Sequence, residues 1–189
     1  MSKPPLCVTP TTLPGVFVIR PRRFHDRRGF FLESYNKGAL SAQGIIVDFV
    51  QDNLSLSEPV HTLRGLHFQK EPFGQAKLVS VVAGAVLDVV VDLRKGSSCF
   101  GKHMSVTLSA ENGDQLFIPV GFAHAFLTLQ PNTLFSYKVS AYYSLEHDTG
   151  IRFDDPTLAI DWGVPADAVT VSEKDRDLPL FEPDSVYFA

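Results

Sequence analysis

Between Ile45 and Tyr143 the chain is a series of short β-like runs cut by turn residues, and this rhythm limits the fold more than any other feature. The runs cover residues 47–51, 63–69, 76–82, 85–93, 103–108, 115–118, 125–129 and 133–143. Between them stand Glu71-Pro72-Phe73-Gly74, Ala83-Gly84, Lys95-Gly96, Glu111-Asn112-Gly113-Asp114, Pro119-Val120-Gly121 and Gln130-Pro131-Asn132, which supply the dihedrals that turns need. Closely spaced strands separated by turn chemistry predict a sandwich or a barrel. The sequence has no βαβ rhythm, and no GxGxxG or P-loop phosphate cradle.

The flanks add little regular structure. Residues 1–15 are rich in Pro and Thr and read as extended, and Val16-Phe17-Val18-Ile19 is the first clear strand, stopped at Arg20-Pro21. His25-Asp26-Arg27-Arg28-Gly29 reads as a turn before a strand over 30–35. Asn36 would cap one short helix that Gly44 stops, and the S-x-x-D pattern Ser172-Glu173-Lys174-Asp175 would open another. With no repeat or linker, residues 1–189 are expected to form a single all-β domain with short peripheral helices.

Composition narrows the function classes. A hydrophobic content of 44% with 15 Phe supports a packed core rather than disorder. The net charge of −4 and the absence of a Lys/Arg run argue against a nucleic-acid partner, although local positive charge could still hold an anionic small molecule. Cys7 and Cys99 fit neither a metal pattern nor a disulfide scaffold. The N-terminus leads into no apolar signal segment and no run is long enough to span a bilayer, so a soluble, cytoplasmic protein with no membrane partner is expected.

Chemistry concentrates in Arg64-Gly65-Leu66-His67-Phe68-Gln69 and the following Gln75-Ala76-Lys77-Leu78-Val79. These polar groups sit in apolar strand sequence, where an unpaired charge is costly, so they read either as a site or as the wet face of a hairpin. His67 is a candidate base near neutral pH or a core His bonded to a carbonyl. Arg64 and His67 lie an odd number of positions apart, so a regular strand would part them; Gly65 is a candidate bulge that re-aims one. Lys77 could hold an oxyanion or lie at the surface, and Tyr137, on the same strand face as Phe135 and Val139, could deliver a proton or simply fill the core. Asp175 is a helix cap or a carboxylate that orients His67. Arg28, Arg64 and Lys174 could grip phosphate, and Phe30 and Tyr143 could sandwich a flat base; otherwise they are solvated charges and ordinary core aromatics. A metal is not favoured: His67 lacks an His-x-His partner and Lys77 would repel a cation, leaving only His103 and His124 as distant candidates.

In order along the chain come Asp26-Arg27-Arg28-Gly29-Phe30-Phe31-Leu32-Glu33-Ser34-Tyr35-Asn36, Phe49-Val50-Gln51-Asp52-Asn53, the two stretches around His67 and Lys77, Asp88-Val89-Val90-Val91-Asp92-Leu93-Arg94, Ile118-Pro119-Val120-Gly121-Phe122-Ala123-His124, Tyr137-Lys138 and Ser172-Glu173-Lys174-Asp175. Together they closely resemble the dTDP-4-dehydrorhamnose 3,5-epimerases of the cupin superfamily, over nearly the whole chain. The resemblance implies a cupin-type jelly-roll β-barrel, a homodimer, no metal or organic cofactor, and a dTDP-4-dehydro-6-deoxy-D-glucose substrate converted to dTDP-4-dehydro-L-rhamnose. It implies His67 as general base with Asp175 as its partner, Tyr137 as general acid and Lys77 beside the keto oxygen. It further implies nucleotide or phosphate contacts from Arg28, Glu33, Gln51, Asn53, Arg64 and Lys174, stacking by Tyr143 with Phe30 nearby, and His124 and Asp88 near the sugar. Two positions depart from the family pattern: Ala125 where many members have Gly, and Asp148 where a Glu is usual, which leaves Asp148 outside the expected site. A 3-epimerase that inverts one centre and a nucleotide-sugar-binding cupin without turnover remain as rivals.

Overall fold

The computed structural model describes residues 5–188; the extended reading of residues 1–4 lies outside them. Thirteen strands, β1 Leu6–Pro10, β2 Phe17–Pro21, β3 Phe24–Asp26, β4 Gly29–Phe31, β5 Gln51–Ser57, β6 Leu63–Gln69, β7 Lys77–Ala83, β8 Ala85–Asp92, β9 His103–Ser109, β10 Gln115–Ile118, β11 Phe122–Thr128, β12 Thr133–Val139 and β13 Asp148–Gly150, are joined by the helices α1 Lys37–Ser41 and α2 Glu173–Arg176 and one 3₁₀ turn at Ala166–Ala168. A six-stranded sheet has the order β1-β2-β10-β7-β12-β5 and a five-stranded sheet the order β13-β6-β11-β8-β9; β3 and β4 form a separate hairpin. All pairings between named strands are antiparallel. The sequential neighbours β7 and β8 lie in different sheets, and the two sheets form the jelly-roll β-barrel of the cupin fold.

The core explains why some strands read as unbroken apolar runs. One cluster fills the space between the sheets, with Val79, Val81, Leu116, Ile118 and Phe135 meeting Val86, Val90, Leu108, Phe122 and Phe126. A second covers the other face of the five-stranded sheet, where Val89, Val91, Ala123 and Leu127 pack under Phe153, Leu158, Trp162, Phe181 and Phe188 of the C-terminal segment. Strand β8 is therefore covered on both faces, and its sequence AVLDVVVD lacks polar alternation for that reason. A third cluster sets α1 and the loop after it, through Leu40 and Ile45, against Ile19, Leu78 and Phe117 of the six-stranded sheet.

Both expected caps form. The Asn36 side chain accepts from Ala39 N and the Ser172 side chain from Asp175 N, each filling an orphan donor of a helix first turn. The expected strand at 47–51 does not form; β5 starts at Gln51 instead. Its inward positions Gln51, Asn53, Ser55 and Ser57 are all polar, with Ser55 lining a cavity, Gln51 bonded to Asn53 and Ser57 bonded to Arg64, and this hid the strand, whereas Val47 and Phe49 pack from a loop into the cluster around α1. The run over 30–35 pairs only as far as Phe31, in the β3–β4 hairpin. Strand β11 begins earlier than expected, at Phe122, since Gly121 at φ +101 turns tightly enough for pairing with Asp92 to begin at once. Strand β12 ends at Val139 rather than Tyr143, because both of its partners stop opposite that residue, at Gln51 and Lys77.

Candidate active site

A cavity of about 380 Å³ opens between the sheets, a size suited to a small ligand. From the five-stranded sheet it is lined by Arg64, His67, Gln69, His124 and Asp148; from the six-stranded sheet by Ser55, Lys77 and Tyr137; and from the segments at its mouth by Gln75, Tyr143, Ser172, Lys174 and Asp175.

Arg64 and His67 reach the same cavity because β6 is bulged. His124 pairs with His67 and Phe126 with Arg64, so two steps along β11 correspond to three along β6. Gly65 permits this. It has φ +114, and a Cβ there would sit 2.5 Å from the His124 carbonyl and 2.7 Å from Ala125 Cβ. The methyl group of Ala125 is thus accommodated by the glycine opposite.

His67 Nε2 donates to Asp175 Oδ1 at 2.8 Å, and the second carboxylate oxygen accepts Gly65 N–H at 3.1 Å. Ser172 fixes the backbone of Asp175 by capping α2. Capping and His orientation, posed by the sequence as alternatives for this tetrad, are thus divided between Ser172 and Asp175. Burial, the largest single influence on Asp175, pushes its carboxyl up; the His67 bond and charge, Gly65 N–H and Ser172 outweigh it and hold the net value below the usual carboxylate range. With Asp175 ionised, Nε2 carries the proton of neutral His67, and Nδ1 is the nitrogen left free to take another.

Lys77 is buried, and its ammonium donates to the His67 carbonyl at 3.3 Å. Desolvation lowers its pKa to about 8, with Asp148 and then Asp88 pulling it back up. Tyr137 on the facing sheet is raised, chiefly by burial, with Arg64 opposing and Asp148 adding to the rise, so the phenol keeps its proton at neutral pH. Behind them His124 Nε2 donates to both Asp88 oxygens, at 3.0 and 2.9 Å. Burial lifts Asp88 and lowers His124, and the charge and hydrogen bond of each partner oppose the shift of the other.

At the mouth, Asp148 Oδ2 accepts from Lys174 Nζ at 2.5 Å and from the Tyr143 hydroxyl at 3.2 Å. Gln51 Oε1 accepts Tyr143 N–H, Gln69 Oε1 accepts Ser144 N–H, and Gln51 Nε2 donates to Asn53 Oδ1. Arg64 donates to Ser57 Oγ and to the Leu56 carbonyl, both at 3.2 Å.

The structure thus brings together His67, Asp175, Tyr137, Lys77, Arg64, His124, Tyr143 and Lys174, with Gln51 and Asn53 beside Tyr143. It does not bring Arg28, Phe30 or Glu33 to this cavity. Arg28 and Phe30 lie on the exposed β3–β4 hairpin, where Arg28 pairs with Asp26 at 2.6 Å, and exposed Glu33 accepts from Asn36. Gln69 and Gln75, the two amides of the polar stretch around His67, line the cavity as the site reading of that stretch expects, whereas Ser55, Asp148 and Ser172 line it without having been assigned to the site from sequence. Asp148 and Lys174 are 26 positions apart, and no local sequence signal marks their pairing. Among the described residues no group of three or more His, Cys, Asp or Glu is gathered as a metal site, and His103 is exposed on β9.

A family model described as dTDP-4-dehydrorhamnose 3,5-epimerase matches residues 10–183. The chain belongs to this family. An epimerase of this name from Sinorhizobium fredii is 51% identical over 164 residues, covering 87% of this chain and 84% of the relative. Among solved epimerases, that of Bacillus anthracis, with TDP and pyrophosphate bound, has 49% identity and a TM-score of 0.91 over 93% of this chain and 99% of its own. That of Legionella pneumophila, in complex with dTDP-4-keto-L-rhamnose, has 44% identity and a TM-score of 0.87 over 93% and 92% of the two chains. The cavity walls of this epimerase-family chain hold the acid, base and cation types that enolisation of a ketone calls for.

Proposed function

We propose that this chain epimerises dTDP-4-dehydro-6-deoxy-D-glucose at C3 and C5, giving dTDP-4-dehydro-L-rhamnose, with His67 as base, Tyr137 as acid, Lys77 at the keto oxygen and Asp175 holding His67. The observation that carries the reading is that His67 and Tyr137 stand on different sheets yet line one cavity, together with Lys77. C3 and C5 both flank the C4 ketone, so loss of either proton moves charge onto the same oxygen. His67 Nδ1 takes the proton from one side. The buried Lys77 ammonium stabilises the enolate. Tyr137 returns a proton from the other side, and the centre inverts. One group working alone would restore the starting configuration.

Lys174, Arg64, Gln51 and Asn53 supply cationic and polar contacts for the diphosphate and base, and the exposed Tyr143 ring offers a stacking face. The working unit in this reading is a homodimer. Phe24, Phe30 and Phe31 are 48%, 53% and 67% exposed on the β3–β4 hairpin, and Leu54, Leu56 and Val82 lie exposed on β5 and β7, a set of apolar groups that a second copy would cover. A hairpin reaching that copy would carry Arg28 and Phe30 to its nucleotide.

No helix among the described residues is long and apolar enough to cross a membrane, which accords with action on a water-soluble nucleotide sugar in the cytoplasm. The deciding experiment is turnover in D₂O followed by NMR. Deuterium at both C3 and C5 is expected. Deuterium at C3 alone would make the protein a single-centre 3-epimerase, and dTDP binding without any exchange would leave a binding protein.

A further inference from the structure

Ser55 is the exception to an otherwise satisfied interior. Among the described residues its Oγ is the single buried side-chain oxygen or nitrogen with no hydrogen-bond partner, and the residue lines the cavity. A buried hydroxyl without a partner destabilises the chain that carries it, so such a group calls for a reason.

Its neighbours on the inward side of β5 are all engaged. Gln51 and Asn53 bond each other, and Ser57 accepts from Arg64. Across the sheet Ser55 pairs with Phe135, whose ring stacks on Phe126 at 4.1 Å between centroids and offers no polar atom. Two pairs further along, on the same face, Asn53 stands opposite Tyr137. Ser55 therefore sits between the Tyr137 level and the Arg64 anchorage at Ser57, above an aromatic floor.

We propose that Ser55 is a specificity-determining residue, whose hydroxyl hydrogen-bonds the C2 hydroxyl of the bound hexulose. This rests on the epimerase reading above. In a nucleotide sugar C2 lies between C1, which carries the phosphate, and C3, where a proton is exchanged. The order phosphate, C2, C3 matches the order Arg64, Ser55, Tyr137 along the wall. The ketone at C4 offers an acceptor but is assigned to Lys77, whereas a hydroxyl can both donate to and accept from Ser55. The contact would favour sugars that bear a C2 hydroxyl and leave the bare nucleotide unaffected.

Ser55→Ala tests this. The variant should fold at least as well as the parent, with an equal or higher Tm, since it removes a buried hydroxyl that lacks a partner. Its kcat/KM for the 4-dehydro-6-deoxy sugar nucleotide should fall ~2- to 12-fold, the effect of one neutral hydrogen bond. Affinity for dTDP should not change. With the analogue lacking the C2 hydroxyl, dTDP-4-dehydro-2,6-dideoxyglucose, the parent should show a similar loss and Ser55→Ala no further one. Unchanged kcat/KM would overturn the proposal, leaving Ser55 in contact with solvent alone. A parallel loss of dTDP affinity would move the contact to phosphate, and a full loss persisting with the 2-deoxy analogue would refute the C2 assignment. Failure of the parent protein to exchange deuterium into either substrate would instead remove the epimerase reading on which the proposal stands.

Discussion

Replacing Asp175 by Asn changes few atoms and should stop the chemistry. The carboxylate accepts two hydrogen bonds, from His67 Nε2 at 2.8 Å and Gly65 N–H at 3.1 Å. An amide has one oxygen. Gly65 N–H can only donate, so the amide oxygen turns to it and the NH₂ faces His67. Nε2 must then accept, which moves the imidazole proton to Nδ1, the nitrogen that should take the substrate proton. The base is present but in the wrong tautomer, and the imidazolium formed during turnover has lost its counter-charge. A fall in kcat of ~10²–10⁴ follows, with little change in KM because Asp175 does not hold the nucleotide. The folded state also loses charge-assisted bonds worth about 1.5–3 kcal/mol, some of which the amide recovers. The assay is deuterium entry at C3 and C5 under saturating substrate, with a melting curve alongside. An Asn variant that folds and exchanges within threefold of the parent, about 0.7 kcal/mol on the barrier, would refute the reasoning.

Lys77 sets an alkaline limb: activity should decline as pH rises through about 8, while stability rises from there toward 10.5, because the unfolded chain holds more protons across that interval. Asp148→Asn should move the limb to lower pH, since Asp148 is the first charge that keeps Lys77 protonated, and should raise KM by releasing Lys174 and Tyr143; an unmoved limb in pH–rate profiles would contradict this. Tyr137→Phe should let His67 exchange the substrate hydrogen for deuterium with retained configuration, while inverted product falls at least ~10²-fold by NMR. Gly65→Ala should cost ~2–5 kcal/mol in denaturant titrations, from a left-handed backbone and a methyl set against the His124 carbonyl.

The sequence was most legible where local and long-range forces agree. Strand β6 was read to the residue because Leu63, Leu66 and Phe68 face packed layers, and both helix starts were marked by capping side chains. The Gly65 bulge was visible as a conflict of parity between Arg64 and His67, and the paired register with β11 bears it out. Strand β5 was misplaced because its inward positions Gln51, Asn53, Ser55 and Ser57 are polar while Leu54 and Leu56 are exposed, which inverts the usual pattern. Asp148 was set aside because it departs from the Glu usual at its position, yet the shorter carboxylate still lines the cavity and bonds Lys174 across 26 positions, while Ser55 escaped because the side chains around it come from β6, β11 and β12, far along the chain. Resemblance assigned Arg28, Phe30 and Glu33 to the nucleotide, yet one copy of the chain keeps them outside its own cavity, which is why the dimer belongs to the functional proposal.

The account turns on two side chains from facing sheets holding one sugar ring between them. A crystal structure of this protein with its dTDP-4-keto sugar bound would test that directly. The hexulose should lie with C3 and C5 between the His67 imidazole and the Tyr137 hydroxyl, and with its keto oxygen within hydrogen-bond reach of Lys77 Nζ. A sugar held outside the cavity, or with His67 and Tyr137 against the same face of the ring, would contradict it.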